Sequence, residues 1–134
     1  KILKEIKNFC NNNHVIISFV AGLKTDSIQK YINPKSTVVR IMPNIFIESR
    51  NSATALFSKK ADDKLRNKIS KDFGHFGILI WMKKENKLDF FTAMFGGGPA
   101  YLFFILECFH RLNRKNGFKT IQTEYSWSKR LSAY

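Results

Sequence analysis

The stretch LDFFTAMFGGGPAYLFFILECFHRLNRKNGF, Leu88 to Phe118, constrains this chain more than any other part of it. Three glycines, Gly96, Gly97 and Gly98, run into Pro99. A proline behind glycine suits the first position of a helix, where its missing N–H costs nothing and its φ is already helical. A helix is predicted from Pro99, with Gly117 as its stop. From Ala100 to Phe109 only Glu107 is charged. Such a helix is apolar on nearly all sides and needs cover from its own domain or from a second subunit. Glu107 is the one carboxylate inside it: if buried it would have a raised pKa, and it could equally face a loop or a subunit partner. Glycines at a helix start also leave backbone N–H groups open to an anion, which the helix dipole attracts.

Upstream, the hydrophobic periods alternate between helix and strand. Ile2, Leu3, Ile6, Phe9 and Cys10 recur at helical spacing, predicting an amphipathic helix over residues 1–11. His14 to Val20 is a short β-branched run, the pattern of a strand buried on both faces of a parallel sheet. A helix is predicted from Asp26 to Ile32, with Thr25 as N-cap and Asn33-Pro34 as its end. Further strands are predicted at Thr37–Ile41, Ala53–Phe57 and Ile78–Met82, and Ile45–Arg50 reads as a loop. Between them Ala61–Phe73 carries Leu65, Ile69 and Phe73 on one face, the stripe of a surface helix. The charged run Lys83-Lys84-Glu85-Asn86-Lys87 suggests a domain boundary, with a short helix from Leu88 to Met94 beyond it.

At 134 residues with a net charge of +13, nucleic acid or an anionic membrane surface has to be weighed as partner. The 17 lysines outnumber the 6 arginines and are spread along the chain. Nucleic-acid readers favour clustered arginine, so a solvated basic surface is the better account. Cys10 and Cys108 stand alone, without zinc or disulfide spacing, which favours a reducing, cytoplasmic setting. Glu107, His110 and Arg111 interrupt the longest apolar run before it reaches membrane-spanning length, so no membrane is expected. His14, His75 and His110 have no second ligand at metal spacing. Asp62-Asp63 read as helix-start charge, and no nucleophile constellation can be assembled.

Three segments together carry a family likeness. Val15-Ile-Ile-Ser-Phe-Val-Ala21-Gly22, Val38-Val-Arg40-Ile-Met42-Pro43-Asn44 and Gly96-x-Gly98-Pro99-Ala100-Tyr101, in this order and spacing, resemble pyrroline-5-carboxylate reductases. The resemblance covers roughly residues 1–119. It implies an α/β fold: the later part of a Rossmann-type NAD(P)-binding domain over 1–86, the start of an all-α dimerisation domain over 87–119, and a divergent tail over 120–134. It further implies NADP or NAD as cofactor, bordered on the nicotinamide side by Ala21, Gly22, Met42, Pro43 and Asn44. Gly96, Gly97, Gly98, Pro99 and Ala100 would lie by the substrate, 1-pyrroline-5-carboxylate, in a homo-oligomer, with no residue here assigned a catalytic or metal-binding role.

The chain departs from the family pattern in several places. The Gly-x-Gly-x-x-Gly phosphate loop is absent, and in the family it lies in a segment that would precede Lys1. Phe95 and Gly97 replace two serines, Ile45-Phe46 stands where Thr-Pro follows the asparagine, and Ser52 replaces a glycine. A Ser-Pro-Gly-Gly-Thr-Thr segment of the family has no counterpart in Thr120–Tyr134. These departures suggest a degenerate fragment. An inactive remnant and a basic nucleic-acid-binding module are the alternatives.

Overall fold

The computed structural model describes residues 2–11 and 13–118; the tail expected over 120–134 lies outside them. By its contacts the chain divides into a unit Lys1–Gly97 and a second unit from Gly98 onward. The first is an α/β unit built on one four-stranded sheet, β1 (Val15–Ser18), β2 (Thr37–Met42), β3 (Ser52–Phe57) and β4 (Gly77–Trp81), in spatial order β1-β2-β3-β4.

The sheet is mixed. β1 and β2 are parallel, as are β3 and β4, but β2 and β3 run antiparallel. Connection length explains this. A parallel crossover takes a dozen or more residues, usually through a helix. Such helices join β1 to β2, through α2 (Thr25–Gln29), and β3 to β4, through α3 (Asp63–Phe73). Residues 43–51 hold only a 3-10 turn, Ile45–Ile47, and the chain must fold straight back.

Alternation along β2 sorts its side chains onto two faces. Val39 and Ile41, with Leu56, pack against Ile69 of α3 and its partly buried neighbours Leu65 and Phe73. On the other face Val38 packs with Ile28 and Ile32, and Met42 packs with Ala55, Phe57, Leu88 and Phe91. Leu88 and Phe91 belong to α4 (Asn86–Phe91), so the charged run thought to mark a boundary lies inside the first unit. Each fully buried Val, Leu or Ile contributes about 1.5–3 kcal/mol. The stripe read from Leu65, Ile69 and Phe73 is therefore the one that docks α3, and Asp62 caps that helix by accepting the Leu65 N–H at 2.8 Å.

Elsewhere the elements are shorter than the sequence suggested. α1 spans Ile2–Ile6; Phe9 falls in the turn after it and is 79% exposed, so its helical spacing is not realised. β1 stops at Ser18, the one buried residue in it, and Phe19 and Val20 are exposed. A strand buried on both faces was expected here, but β1 is an outer strand of the sheet. Thr25 is not an N-cap: it is the first residue of α2, behind Lys24, whose side chain makes no capping bond. Gly77, at φ +136°, opens β4 where an added Cβ would come within 2.2 Å of the Ser52 carbonyl oxygen. No other residue fits there.

After α4 comes a π-turn, Thr92–Gly96, where a short helix and a glycine turn were expected. The second unit begins with α5, Gly98–Lys115, one residue ahead of Pro99, and Gly117, at φ +81°, closes it as read from the sequence.

Candidate functional site

β1 and β2 are neighbours, parallel and in register from Val15 opposite Thr37 to Ser18 opposite Arg40. The chain therefore leaves both strands at the same end of the sheet, the end where open α/β sheets receive ligands. Ala21 and Gly22 follow one strand; Met42 closes the other, and Pro43 and Asn44 follow it. Ala21 and Gly22 are exposed and small, and nothing lies within 4 Å of where a Gly22 side chain would begin. Its φ of +75° is what calls for glycine. Pro43 and Asn44 are half-buried. Met42, 5% exposed, packs into the core cluster under α4 and supports this edge from below.

Asn44 is fixed from two sides. Its Oδ1 accepts the Phe46 N–H at 3.2 Å, and its own N–H donates to Ser52 Oγ at 3.2 Å. Ser52 Oγ lies 2.8 Å from Thr54 Oγ1, and both residues are buried. The serine standing in place of a family glycine thus ties the residues after β2 to the start of β3. The sequence named Ser52 only as a departure; its hydroxyl, next to that of Thr54 on one strand face, was the available signal.

The glycine segment is organised differently from the expected open turn. Gly97 donates its N–H to the Thr92 carbonyl at 3.0 Å, closing the π-turn, and Thr92 Oγ1 donates to the Leu88 carbonyl at 2.8 Å. The Phe91 and Phe95 rings stack at 4.6 Å. The Gly97 N–H is thereby engaged within the chain. π-turns inside helices recur at functional sites. Gly96 ends this turn, whereas Gly98, Pro99 and Ala100 form the first turn of α5; a first turn leaves its N–H groups without intrahelical partners, and Pro99 has none to leave.

α5 buries none of its residues, and Tyr101, Phe104 and Leu112 are among its exposed apolar side chains. Of the two readings of Glu107, burial does not hold. Glu107 is exposed and accepts from Arg111 Nε at 2.9 Å, and that bond with the attendant charge holds its carboxyl below the usual value. The helical residues Asn86–Lys115, 30 in all, are also long and apolar enough to cross a membrane by length and composition. Phe90 and Phe91 of α4 and Met94 and Phe95 of the π-turn lengthen the apolar run beyond the stretch from Ala100 to Phe109. A helix that pairs with another subunit passes the same test.

Titratable groups elsewhere fit local roles. His14 Nδ1 accepts the Asn11 N–H, and His75 lies 4.0 Å from the Phe76 ring. No cluster of three metal-ligating side chains occurs among the described residues, and Cys10 and Cys108 are free thiols.

One buried network has no local mark in the sequence. Glu85, read as part of a solvated charged run, turns inward. Its Oε1 accepts the Thr25 N–H at 2.7 Å and Arg40 Nη1 at 3.0 Å, and its Oε2 accepts Thr25 Oγ1 at 2.9 Å. Burial pushes this carboxyl up, but the Thr25 N–H, the Arg40 guanidinium and the Thr25 hydroxyl outweigh it, and the pKa lies below the ordinary value. No signal in the sequence marks a pairing 45 and 60 residues apart.

No family model matches the chain. Comparison with individual proteins is more informative. Over 126 residues, 93% of its length, the chain is 31% identical to a pyrroline-5-carboxylate reductase of Staphylococcus epidermidis, and over 122 residues it is 32% identical to that of Staphylococcus aureus. It spans 46% and 45% of those two proteins, about half their length. Among solved structures, a pyrroline-5-carboxylate reductase from Coxiella burnetii is 27% identical with a TM-score of 0.85, matching 98% of this chain and 50% of its own. The Plasmodium falciparum pyrroline carboxylate reductase, solved with NADP bound, shares the fold at a TM-score of 0.89 and 22% identity, over 98% of this chain and 53% of its own.

Proposed function

We propose, for a chain that belongs to the pyrroline-5-carboxylate reductase family and spans about half the length of the relatives it matches, that it forms the nicotinamide-side part of a reductase converting 1-pyrroline-5-carboxylate to L-proline. The observation that carries this is the pairing of Ala21-Gly22 with Met42-Pro43-Asn44 at one end of two adjacent parallel strands. Small, exposed residues beside a half-buried proline and asparagine suit the face of a planar ring. When bound, NAD(P)H supplies hydride to the C=N carbon.

The chain's own work is orientation. Ala21 and Gly22 leave room for close approach. Asn44 is held by Phe46 and Ser52, so a contact made by its side chain is made without further ordering. Around the glycines, substrate contact falls to Gly96, Gly98, Pro99 and Ala100, since the Gly97 N–H serves the π-turn. The phosphate loop belongs, by the family likeness, to the part of such proteins that this chain does not match. A homo-oligomer that covers the apolar side chains of α5 and a cytoplasmic setting complete the reading.

Thermal unfolding with and without NADPH tests it first. A ligand that binds only the folded state stabilises it by about 2.7 kcal/mol at a hundredfold excess over Kd, so the midpoint should rise. Mixing with the N-terminal half of a family reductase should then give NADPH oxidation that depends on 1-pyrroline-5-carboxylate. A midpoint unmoved by NADPH, and no oxidation on mixing, would refute the reading.

A further inference from the structure

Glu85 sits one residue before α4 with backbone angles already helical, yet its side chain makes no capping bond there. It reaches instead to the first residue of α2 and to the middle of β2, accepting three hydrogen bonds from two residues with its two oxygens. The Arg40 side chain is 2% exposed and that of Glu85 13%. Replacing a buried ion pair by apolar groups is often neutral or stabilising, so stability alone is a poor reason for this one. Arg40 Nε even lacks a partner among the described residues, a cost an apolar side chain would avoid. What the pair does supply is direction. Carboxylate, guanidinium and amide bonds converge from three segments, and geometry this constrained fixes how those segments sit together.

The three segments are those that lead into the candidate site. Thr25 follows Ala21-Gly22 by three residues, Arg40 precedes Met42 by two, and Glu85 begins the helix that ends in the π-turn at Gly96. We propose that Glu85 is a positioning residue: its carboxylate, clipped to Thr25 and Arg40, holds the loop after β1, the end of β2 and the base of α4 in one fixed arrangement at the site. The proposal rests on the reductase reading for what the arrangement serves, but the clip itself can be tested without it.

The test is amide hydrogen exchange on the full chain, comparing the wild type with Glu85→Gln, Thr25→Val and the core variant Ile69→Val. Glu85→Gln keeps the size and one acceptor but removes the charge and the second acceptor. Exchange at residues 21–28 and 86–97 should quicken at least tenfold, while β3 and α3 change no more than in Ile69→Val. Thr25→Val, which loses only the hydroxyl bond, should loosen residues 21–28 to a smaller degree, and it keeps the test decisive should Glu85→Gln fail to fold. Exchange in these segments that rises no more than elsewhere, in both variants, would overturn the clip. A parallel set with NADPH separates the two ideas. Wild-type protection of residues 21–22 and 42–44 by NADPH, lost in Glu85→Gln, supports positioning. No NADPH protection in the wild type, with local loosening still present in the variants, overturns the cofactor reading and the positioning role with it.

Discussion

Leu88→Ala probes whether α4 is part of the sheet's core. Leu88 is fully buried in a cluster with Met42, Ala55, Phe57 and Phe91, and Met42 and Ala55 are paired partners on adjacent strands. Ladder bonds hold those strands in place, so the space left by the lost methyl groups cannot close. Truncations of this kind cost 2–5 kcal/mol, increasing with the cavity that remains. A value of about 3 kcal/mol is expected here. In a unit of this size each kcal/mol shifts the midpoint by roughly 4–8 °C, so thermal unfolding should fall by about 12–24 °C. Urea unfolding should show the same loss as a lower midpoint with an unchanged slope. Leu88→Met, which nearly conserves volume, should cost less than about 1.5 kcal/mol. Ile78→Ala, at a side chain 71% exposed on β4, should stay within about 0.5 kcal/mol. A Leu88→Ala midpoint within about 4 °C of wild type would refute the packing of α4 on the sheet and return residues 86–97 to the helical part of the chain.

Gly77→Ala should destabilise by more than about 3 kcal/mol, since both the positive φ and the Ser52 backbone oppose a Cβ, and circular dichroism melts would show it; a mild effect would mean β3 and β4 do not approach so closely. For pH, the folded Glu85 carboxyl lies below its ordinary, unfolded value of 4.5, so its stabilisation is complete above that value and is lost as pH falls through the lower, folded one. The stability difference between wild type and Glu85→Gln should accordingly be flat near neutrality and shrink below pH 4.5. Asp62→Ala removes the cap of α3 and should cost about 0.5–2 kcal/mol in denaturant titration.

The elements legible in the sequence were those whose signal is local. The apolar runs read as strands at 37–41 and 53–57, and the stripe Leu65, Ile69, Phe73, need only their own neighbours to declare a period, and each forms its element to within two residues. Direction is another matter: nothing in the side chains of β3 says it runs against β2. The shortness of residues 43–51 does say it, once connection length is weighed against what a crossover requires. Long-range polar pairing left no trace at all. Thr25 looks like an N-cap because caps are local, yet its hydroxyl goes to Glu85, and Glu85 looks solvated because lysines surround it. At the site, the Ala21-Gly22 and Met42-Asn44 segments were found by motif, but the bond from the Gly97 N–H to the Thr92 carbonyl, which closes the π-turn, has no mark in a run of glycines that favours a break.

The two outer strands of the described sheet bear on how copies of this chain would meet. Val15 on β1 and Ile78 and Ile80 on β4 present apolar side chains on strands whose far edges have no neighbour in that sheet. Free edges of this kind invite another chain to add on. Neither strand carries a charged residue to turn such a chain away. The restraint is global instead, a net charge of +13 that makes copies repel one another. That repulsion reaches only about 10 Å in 0.1 M salt and about 3 Å in 1 M. Ionic strength should therefore tune how readily copies associate through these edges: light scattering is expected to climb as salt is added, with no change in the fold required.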